Sequence, residues 1–303
     1  GVQEFIASSA IWHRGSEGQR DKYLRGSIDG SMVGAICVSE PDAGSDVAAI
    51  RTTAVRDGDD WVINGAKTWI TNGVYGDFHV VACKTDRQAG ARGISLILVD
   101  AATPGVTATK LNKIGWHASD TAEIAYENVR VPLANLIGEE DAGFKYIMET
   151  FAIERLVTAA MSIGSADVAF EETLRYMASR EAFGKPINTL QALRHRLADL
   201  FTEVLACKQL IYHTAWLHTQ GLPAVKESSM AKMMATELQK KVCDECLQFF
   251  GGFGYVEEYP LARMYRDARV GTIIAGTTEI MREIIARAEI DGADFKFREK
   301  APS

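Results

Sequence analysis

Residues 35–46 read AICVSEPDAGSD. Ala35, Ile36, Cys37 and Val38 have the small, apolar character of a buried strand. The run then meets Ser39, Glu40, Pro41, Asp42, Ala43, Gly44, Ser45 and Asp46, a crowd of hydroxyls and carboxylates with a proline and a glycine. A connecting loop needs only one or two breakers. A purely local reading exists: Pro41 stops the strand, and Ser45 or Asp46 caps whatever follows. The residues around this stretch decide whether that reading is enough.

Outward from it, residues 31 to about 130 carry strand patterns. Trp61-Val62-Ile63 and Ala66-Lys67-Thr68-Trp69-Ile70-Thr71 flank Asn64-Gly65, which predicts a hairpin with an Asn-Gly turn. Phe78 to Cys83, Ile94 to Val99, Val106 to Leu111 and Thr121 to Tyr126 continue the series, separated by turn residues. On the N-terminal side, residues 1–30 carry short helical segments broken at Arg14 to Gly18 and ended by Gly30.

From Gly138 the apolar period changes. Leu190, Leu193, Leu197, Leu200, Val204, Cys207 and Ile211 recur at steps of three and four, as do Ala231, Ala235, Leu238, Val242, Cys246 and Phe249. Four helices are predicted, at 141–180, 189–219, 223–250 and 277–289, the first with an internal break. The predicted fold class is α+β, with a central antiparallel β-domain (31–137) and a C-terminal four-helix bundle (138–290). Residues 1–30 read as the remnant of an N-terminal helical domain and 291–303 as a loose tail.

Composition narrows the function. The 303 residues are 47% hydrophobic and 24% charged, with a net charge of −7. No basic excess is available to neutralise phosphates, so nucleic acid is not the expected partner. Five scattered cysteines read as free thiols in a reducing compartment. Cys243 and Cys246 form a lone C-x-x-C inside a helical pattern and read as helix-face residues, with no metal expected. No stretch reaches the roughly 18 apolar residues of a membrane span, and no signal peptide is visible.

Further polar or glycine-rich clusters interrupt well-patterned elements: Trp69 to Gly73, Arg180 to Lys185, Gln248 with Gly251 to Gly254, and Ala275 to Glu279. Each has a bland reading. Trp69 suits a hairpin core, Gly251 to Gly254 a helix C-cap, and Thr277 an N-cap with Glu279 in the first turn. Taken in order, S-E-P-D-A-G-S-D, W-I-T-N-G, R-E-A-F-G-K-P-I, G-G-F-G-Y with E-Y-P, and G-T-T-E-I-M-R resemble the acyl-CoA dehydrogenases from about Ser31 to Ile290. That family normally carries a substantial helical domain before its β-domain, so the resemblance implies an N-terminally truncated chain.

The resemblance implies FAD as cofactor. Cys37, Val38 and Ser39 would lie against the isoalloxazine, and Ser45 would face the pyrophosphate and coenzyme A. Trp69 would stack on the flavin, with Ile70 beside it and Thr71 bonded to N5. Arg180, Phe183 and Gln191 would hold the adenosine–pyrophosphate end of FAD in a neighbouring subunit. Gln248, Gly251 and Gly252 would form its backbone cradle, with Thr277 and Glu279 nearby. A homodimer or tetramer follows from that sharing.

The implied reaction is α,β-dehydrogenation of an acyl-CoA thioester to the trans-2-enoyl-CoA, with electrons passed to an electron-transferring flavoprotein. Most of the family places its base immediately before the Gly-Thr of the last motif. Here that position is Ala275, followed by Gly276. A minority, including long-chain and isovaleryl-CoA dehydrogenases, places the base on the first bundle helix before Arg-Leu. This chain reads Phe151-Ala152-Ile153-Glu154-Arg155-Leu156, which makes Glu154 the expected base. Phe151, Arg155, Ala275 and Gly276 are then expected at the substrate. The alternatives are a flavin oxidase or monooxygenase on the same scaffold, or a non-catalytic partner subunit. The expected location is a bacterial cytoplasm or the mitochondrial matrix.

Overall fold

The computed structural model describes residues 7–293 and 295. The expected N-terminal helical remnant at residues 1–6 and the expected tail at 294 and 296–303 lie outside the described residues. The chain divides into two compact units after Phe151.

The first unit opens with α1 (Ser8–Arg14), α2 (Glu17–Gln19), a π-helical stretch (Arg20–Leu24) and α3 (Arg25–Asp29). Ser16 and Gln19 form a reciprocal capping box, and Gly30, at φ +81°, ends the helical run in the left-handed conformation. A seven-stranded sheet follows: β1 (Gly34–Cys37), β2 (Thr53–Asp57), β3 (Asp60–Thr71), β4 (Phe78–Lys84), β5 (Ile94–Asp100), β6 (Val106–Lys110) and β7 (Thr121–Pro132). Its order is β1-β4-β2-β3-β7-β6, with β5 paired to β4.

Period-2 alternation explains how β4 is buried on both sides. Phe78, Val80 and Ala82 pack with Ile94, Leu96 and Leu98, the N-terminal helices and Tyr146 and Ile147. Val81 and Cys83 face the opposite way, onto Trp61, Ile63, Ile124 and Tyr126. The sheet is not purely antiparallel as expected. β1 runs parallel to β4 over four residue pairs, and β2 touches β4 in parallel at Thr53 and Lys84. The chain between β1 and β4 is long enough for a crossover, which a parallel neighbour requires.

The Asn64-Gly65 hairpin is also corrected. β3 runs straight through these residues for 12 positions. The hairpin lies one step earlier, where Asp57 pairs with Asp60 across Gly58-Asp59. Asn64-Gly65 instead marks a register shift against β7. A Cβ on Gly65, at φ +153°, would stand 2.4 Å from Thr52 Oγ1, so the glycine admits the neighbouring chain. Asn64 Oδ1 accepts from the Asn128 backbone N–H at 2.8 Å, holding a β7 residue at φ +51°.

The second unit is helical. α4 (Gly143–Ser179) starts in the first unit and carries on into this one. Its expected break is absent: all 37 residues are helical. Gly164 alone costs only about 1 kcal/mol relative to alanine, and no proline interrupts the ladder. A two-strand hairpin, β8 (Glu181–Ala182) and β9 (Lys185–Pro186), leads to α5 (Gln191–Thr219), α6 (Val225–Phe250), α7 (Pro260–Ala268) and α8 (Thr278–Glu289). The predicted stripes meet in one core: Leu197, Leu200, Val204 and Cys207 pack with Ala231, Ala235, Leu238, Val242 and the α4 residues Ala159, Ile163 and Phe170. Cys243 and Cys246 lie on the buried face of α6, and all five cysteines are free and buried. No described helix is long and apolar enough to cross a membrane.

Candidate active site

In the first unit, the end of β1 and a bulge in β3 lie side by side. The Thr68 backbone N–H donates to the Ser39 carbonyl at 2.9 Å. Directly after it, β3 slips register against β7 between Lys67 and Ile70. Trp69 sits in that slip at φ +62° and is 68% exposed. An indole that is both strained and uncovered is unusual, because left-handed backbone disfavours residues with a Cβ. Ser39 and Thr71 are half-buried beside it, and Ile70 is buried. Asn72, also left-handed at φ +63°, donates from its side chain to the Gly34 carbonyl at 3.1 Å. The surface therefore combines one aromatic face, two hydroxyls and main-chain groups.

A buried ion pair supports it. Lys67 Nζ donates to Glu40 Oε1 at 2.7 Å and to the Val38 carbonyl at 3.0 Å. The Glu40 carboxylate also accepts from the backbone N–H groups of Arg51 and Thr52. Its proton affinity balances burial, which raises it, against Lys67 and these donors, which lower it; the net direction is down. Of the opening stretch, Ser45 is exposed and Val38 half-buried. Asp46 Oδ1 accepts from Ala48 N–H at 3.2 Å, the cap that the local reading expected. Cys37 is fully buried, its thiol pushed up to about 12 by burial, so only its main chain can meet a ligand.

In the second unit, Glu154 on α4 is half-buried, and burial pushes its carboxyl up to about 7 against the opposing pull of Arg155 and Lys232. Arg155 is 7% exposed. Lys232, on α6, is fully buried and donates to the Gly276 carbonyl at 2.7 Å. That carbonyl belongs to a turn with two successive left-handed residues, Ala275 at φ +54° and Gly276 at φ +86°. A Cβ on Gly276 would stand 2.7 Å from Met281 Cε, which makes glycine the fitting residue. Thr277 then caps α8 by accepting from Ile280 N–H at 3.3 Å.

Two further carboxylates, Glu149 and Glu279, are placed otherwise. Glu149 binds Arg14 at 2.9 Å. The Glu279 side chain is 77% exposed, and its proton affinity is lowered by its own backbone N–H and by Thr277. Phe151 packs against the apolar cluster of the first unit.

The remaining expected cofactor residues of the second unit are on its surface. Arg180, Gln191, Gln248, Gly251 and Gly252 are exposed. Phe183 and Gly184 form the two-residue tip between β8 and β9, at φ +53° and +76°. Phe183 is 92% exposed there.

Models of the middle and C-terminal domains of acyl-CoA dehydrogenase match residues 35–129 and 141–290. The acyl-CoA dehydrogenase of Bacillus subtilis (strain 168) is 38% identical over 292 residues, which cover 96% of this chain and 77% of that protein. The chain belongs to the acyl-CoA dehydrogenase family. The mitochondrial long-chain specific acyl-CoA dehydrogenase of Sus scrofa is 44% identical over 285 residues, and this chain spans 66% of its length. The crystal structure of acyl-CoA dehydrogenase from Geobacillus kaustophilus superposes with a TM-score of 0.93 at 45% identity, covering 95% of this chain and 76% of that one.

FAD is the cofactor of acyl-CoA dehydrogenases, and the donor set fits it: an uncovered indole suits a flat ring, and the hydroxyls and amides around it suit a polar ring edge. Two lysines outside the sequence motifs, Lys67 and Lys232, support the site. Lys232 follows Ala231 on the face of α6 that also carries Ser228 and Ala235, and a charge on a buried face is a readable signal. Lys67 stood in the strand pattern in the same way. The acid partner of Lys67 was unreadable, because Glu40 lies 27 residues away in the chain.

Proposed function

We propose that this chain catalyses FAD-dependent α,β-dehydrogenation of an acyl-CoA thioester to the trans-2-enoyl-CoA, with Glu154 as the base. The observation that carries this reading is a carboxyl held near pH 7 on α4, where Ala275 leaves the usual loop position without one. A base poised near the working pH combines a useful ionised fraction with enough proton affinity to attack a weak carbon acid. The Ala275 backbone N–H serves as donor to the thioester oxygen and stabilises the developing enolate. Arg155 and Lys232 favour the ionised form of Glu154 before proton transfer. Phe151 and Gly276 complete the substrate contacts.

FAD, when bound, supplies a hydride acceptor at N5. Cys37 and Val38 (through their main chain), Ser39, Ser45, Trp69, Ile70 and Thr71 would hold it, as would Gln248, Gly251, Gly252, Thr277 and Glu279, and Arg180, Phe183 and Gln191 would do so by reaching a partner copy. The strained tip at Phe183 supports such a reach, since the ring is 92% exposed. We assign an electron-transferring flavoprotein as the electron acceptor and a dimer or tetramer as the active form. A long-chain or branched substrate follows from the helix-borne base, and the 44% identity to the porcine long-chain enzyme supports it. A bacterial cytoplasm and a mitochondrial matrix both suit these relatives.

Anaerobic addition of acyl-CoAs of graded length to the FAD-loaded protein tests the reading. Flavin absorbance bleaches in the wild type. Glu154→Gln keeps FAD and acyl-CoA binding but loses the bleaching, and Ala275→Glu in that background restores part of it. Bleaching of Glu154→Gln at the wild-type rate would place the base elsewhere.

A further inference from the structure

Two lysines among the described residues are fully buried, and they are satisfied differently. Lys67 faces a carboxylate at 2.7 Å. Lys232 donates to a neutral acceptor, the Gly276 carbonyl, and no described carboxylate lies within ion-pair distance of it. Burying an ammonium on a carbonyl alone is unfavourable, so a purely structural need would be met better by an apolar side chain. The charges that act on it come from three helices. Arg155 on α4 repels it, while Glu154 on α4, Glu237 on α6 and Glu279 on α8 attract it. Two of the attractive groups have other partners: Glu237 accepts from Lys240 and Thr278, and Glu279 faces Arg282. Burial dominates and draws the Lys232 ammonium down to about 8.

The carbonyl it grips is in a costly conformation. Ala275 holds φ +54° and Gly276 +86°. A residue with a Cβ persists there only when its surroundings over-determine it. Lys232 fixes one side of this turn, and the Thr277 cap fixes the other.

We propose that Lys232 is a positioning residue for the acid–base centre, one that clamps the Ala275–Gly276 turn and keeps a positive charge within electrostatic reach of Glu154. The proposal rests on the reading of Glu154 as the base, and it adds what tunes that base. Without the charge at Lys232, Glu154 holds its proton more tightly, and less of it is ionised at neutral pH. Arg155 acts on Glu154 in the same direction, and Lys232 adds a second positive charge that is hydrogen-bonded to the turn through the Gly276 carbonyl.

The test reads the carboxyl directly. In protein labelled with 13Cδ-glutamate, the Glu154 signal is assigned by its loss in Glu154→Gln, and its titration midpoint is followed in Lys232→Met, Lys232→Gln and Lys232→Arg. The midpoint rises by about one pH unit in the Met and Gln variants and returns toward the wild-type value in Lys232→Arg. Flavin reduction at pH 7 falls about fivefold in Lys232→Met and recovers above pH 9, because the ionised fraction recovers. Lys232→Gln reports the charge effect with a donor retained, and stands in if Lys232→Met does not fold. An unmoved midpoint, or a rate lost equally at every pH, would overturn the proposal. A moved midpoint in a protein whose Glu154→Gln variant still bleaches would remove the base assignment and with it the positioning role of Lys232, whereas an unmoved midpoint in a protein whose Glu154→Gln variant no longer bleaches would overturn the role of Lys232 alone.

Discussion

Lys67 and Glu40 form an ion pair at 2.7 Å with side chains only 0% and 6% exposed, and the lysine also grips the Val38 carbonyl at the end of β1. One ammonium thus ties the β1 end to the strand that carries Trp69. Removing one member of a buried pair leaves the other charged in a low-dielectric site. Lys67→Met is expected to destabilise the first unit by about 3–5 kcal/mol, read as a lowered urea midpoint. Lys67→Met with Glu40→Gln is expected to recover part of that loss, since no net charge is then stranded. Equal midpoints for the single variant and the wild type would contradict the account.

Acid sensitivity of the first unit is expected to come from His79. Its ring is fully buried, bonded through Nδ1 to the Tyr126 hydroxyl at 3.0 Å, and burial draws its pKa down to about 4. The folded value lies below the ordinary 6.5. The associated stability is therefore complete above pH 6.5 and is lost as pH falls toward 4, by about 3 kcal/mol. His79→Gln is expected to flatten the pH dependence of urea unfolding across that window. A dependence as steep as the wild type's would assign it to other groups.

Glu154 should show the opposite sign. Its folded value of about 7 lies above the ordinary 4.5. Burial of this group is therefore free of charge cost below 4.5 and increasingly unfavourable as pH rises through 7. Glu154→Gln is expected to stabilise the protein at pH 8 by roughly 2–3 kcal/mol, and by nothing measurable at pH 4. Thermal unfolding of both proteins at the two pH values checks this, and a gain of equal size at both would refute it.

Trp69 is strained and mostly uncovered, so its removal should matter little to folding. Trp69→Gly relieves a left-handed backbone of about 1 kcal/mol but loosens the unfolded chain by a similar amount. Unfolding of the FAD-free protein is expected within about 1 kcal/mol of wild type, while FAD affinity drops roughly tenfold with the lost stacking. Fluorescence titration with FAD measures the second quantity. Unchanged affinity would show that the indole serves something other than the flavin.

Phe183 offers a parallel case at the hairpin tip. Asparagine tolerates φ +53° better than phenylalanine does. Phe183→Asn is expected to unfold no earlier than wild type, yet to retain less FAD after gel filtration. Full retention of FAD would argue against a contact with a partner copy.

The helix stripes were legible because the bundle core follows helical periodicity: Leu197 to Ile211 and Ala231 to Phe249 are buried where their spacing puts them. The Thr277 cap was legible because a cap is local. Asn64-Gly65 misled for the same reason. As a dipeptide it favours a turn, but the contacts of Thr52 and Asn128 with β3 outweighed that preference.

By itself, the sequence determined the succession of a strand-rich region and a helical region, the family motifs and the choice of Glu154 over Ala275 as a carboxylate candidate. It could do so because these depend on residue identity and short spacing. Only the tertiary structure decided what each charge experiences. Glu154 and Lys232 are 78 positions apart, and Lys67 and Glu40 are 27 apart. A proton affinity is fixed by burial and by the charges that folding brings near, and neither is a property of the chain's local order.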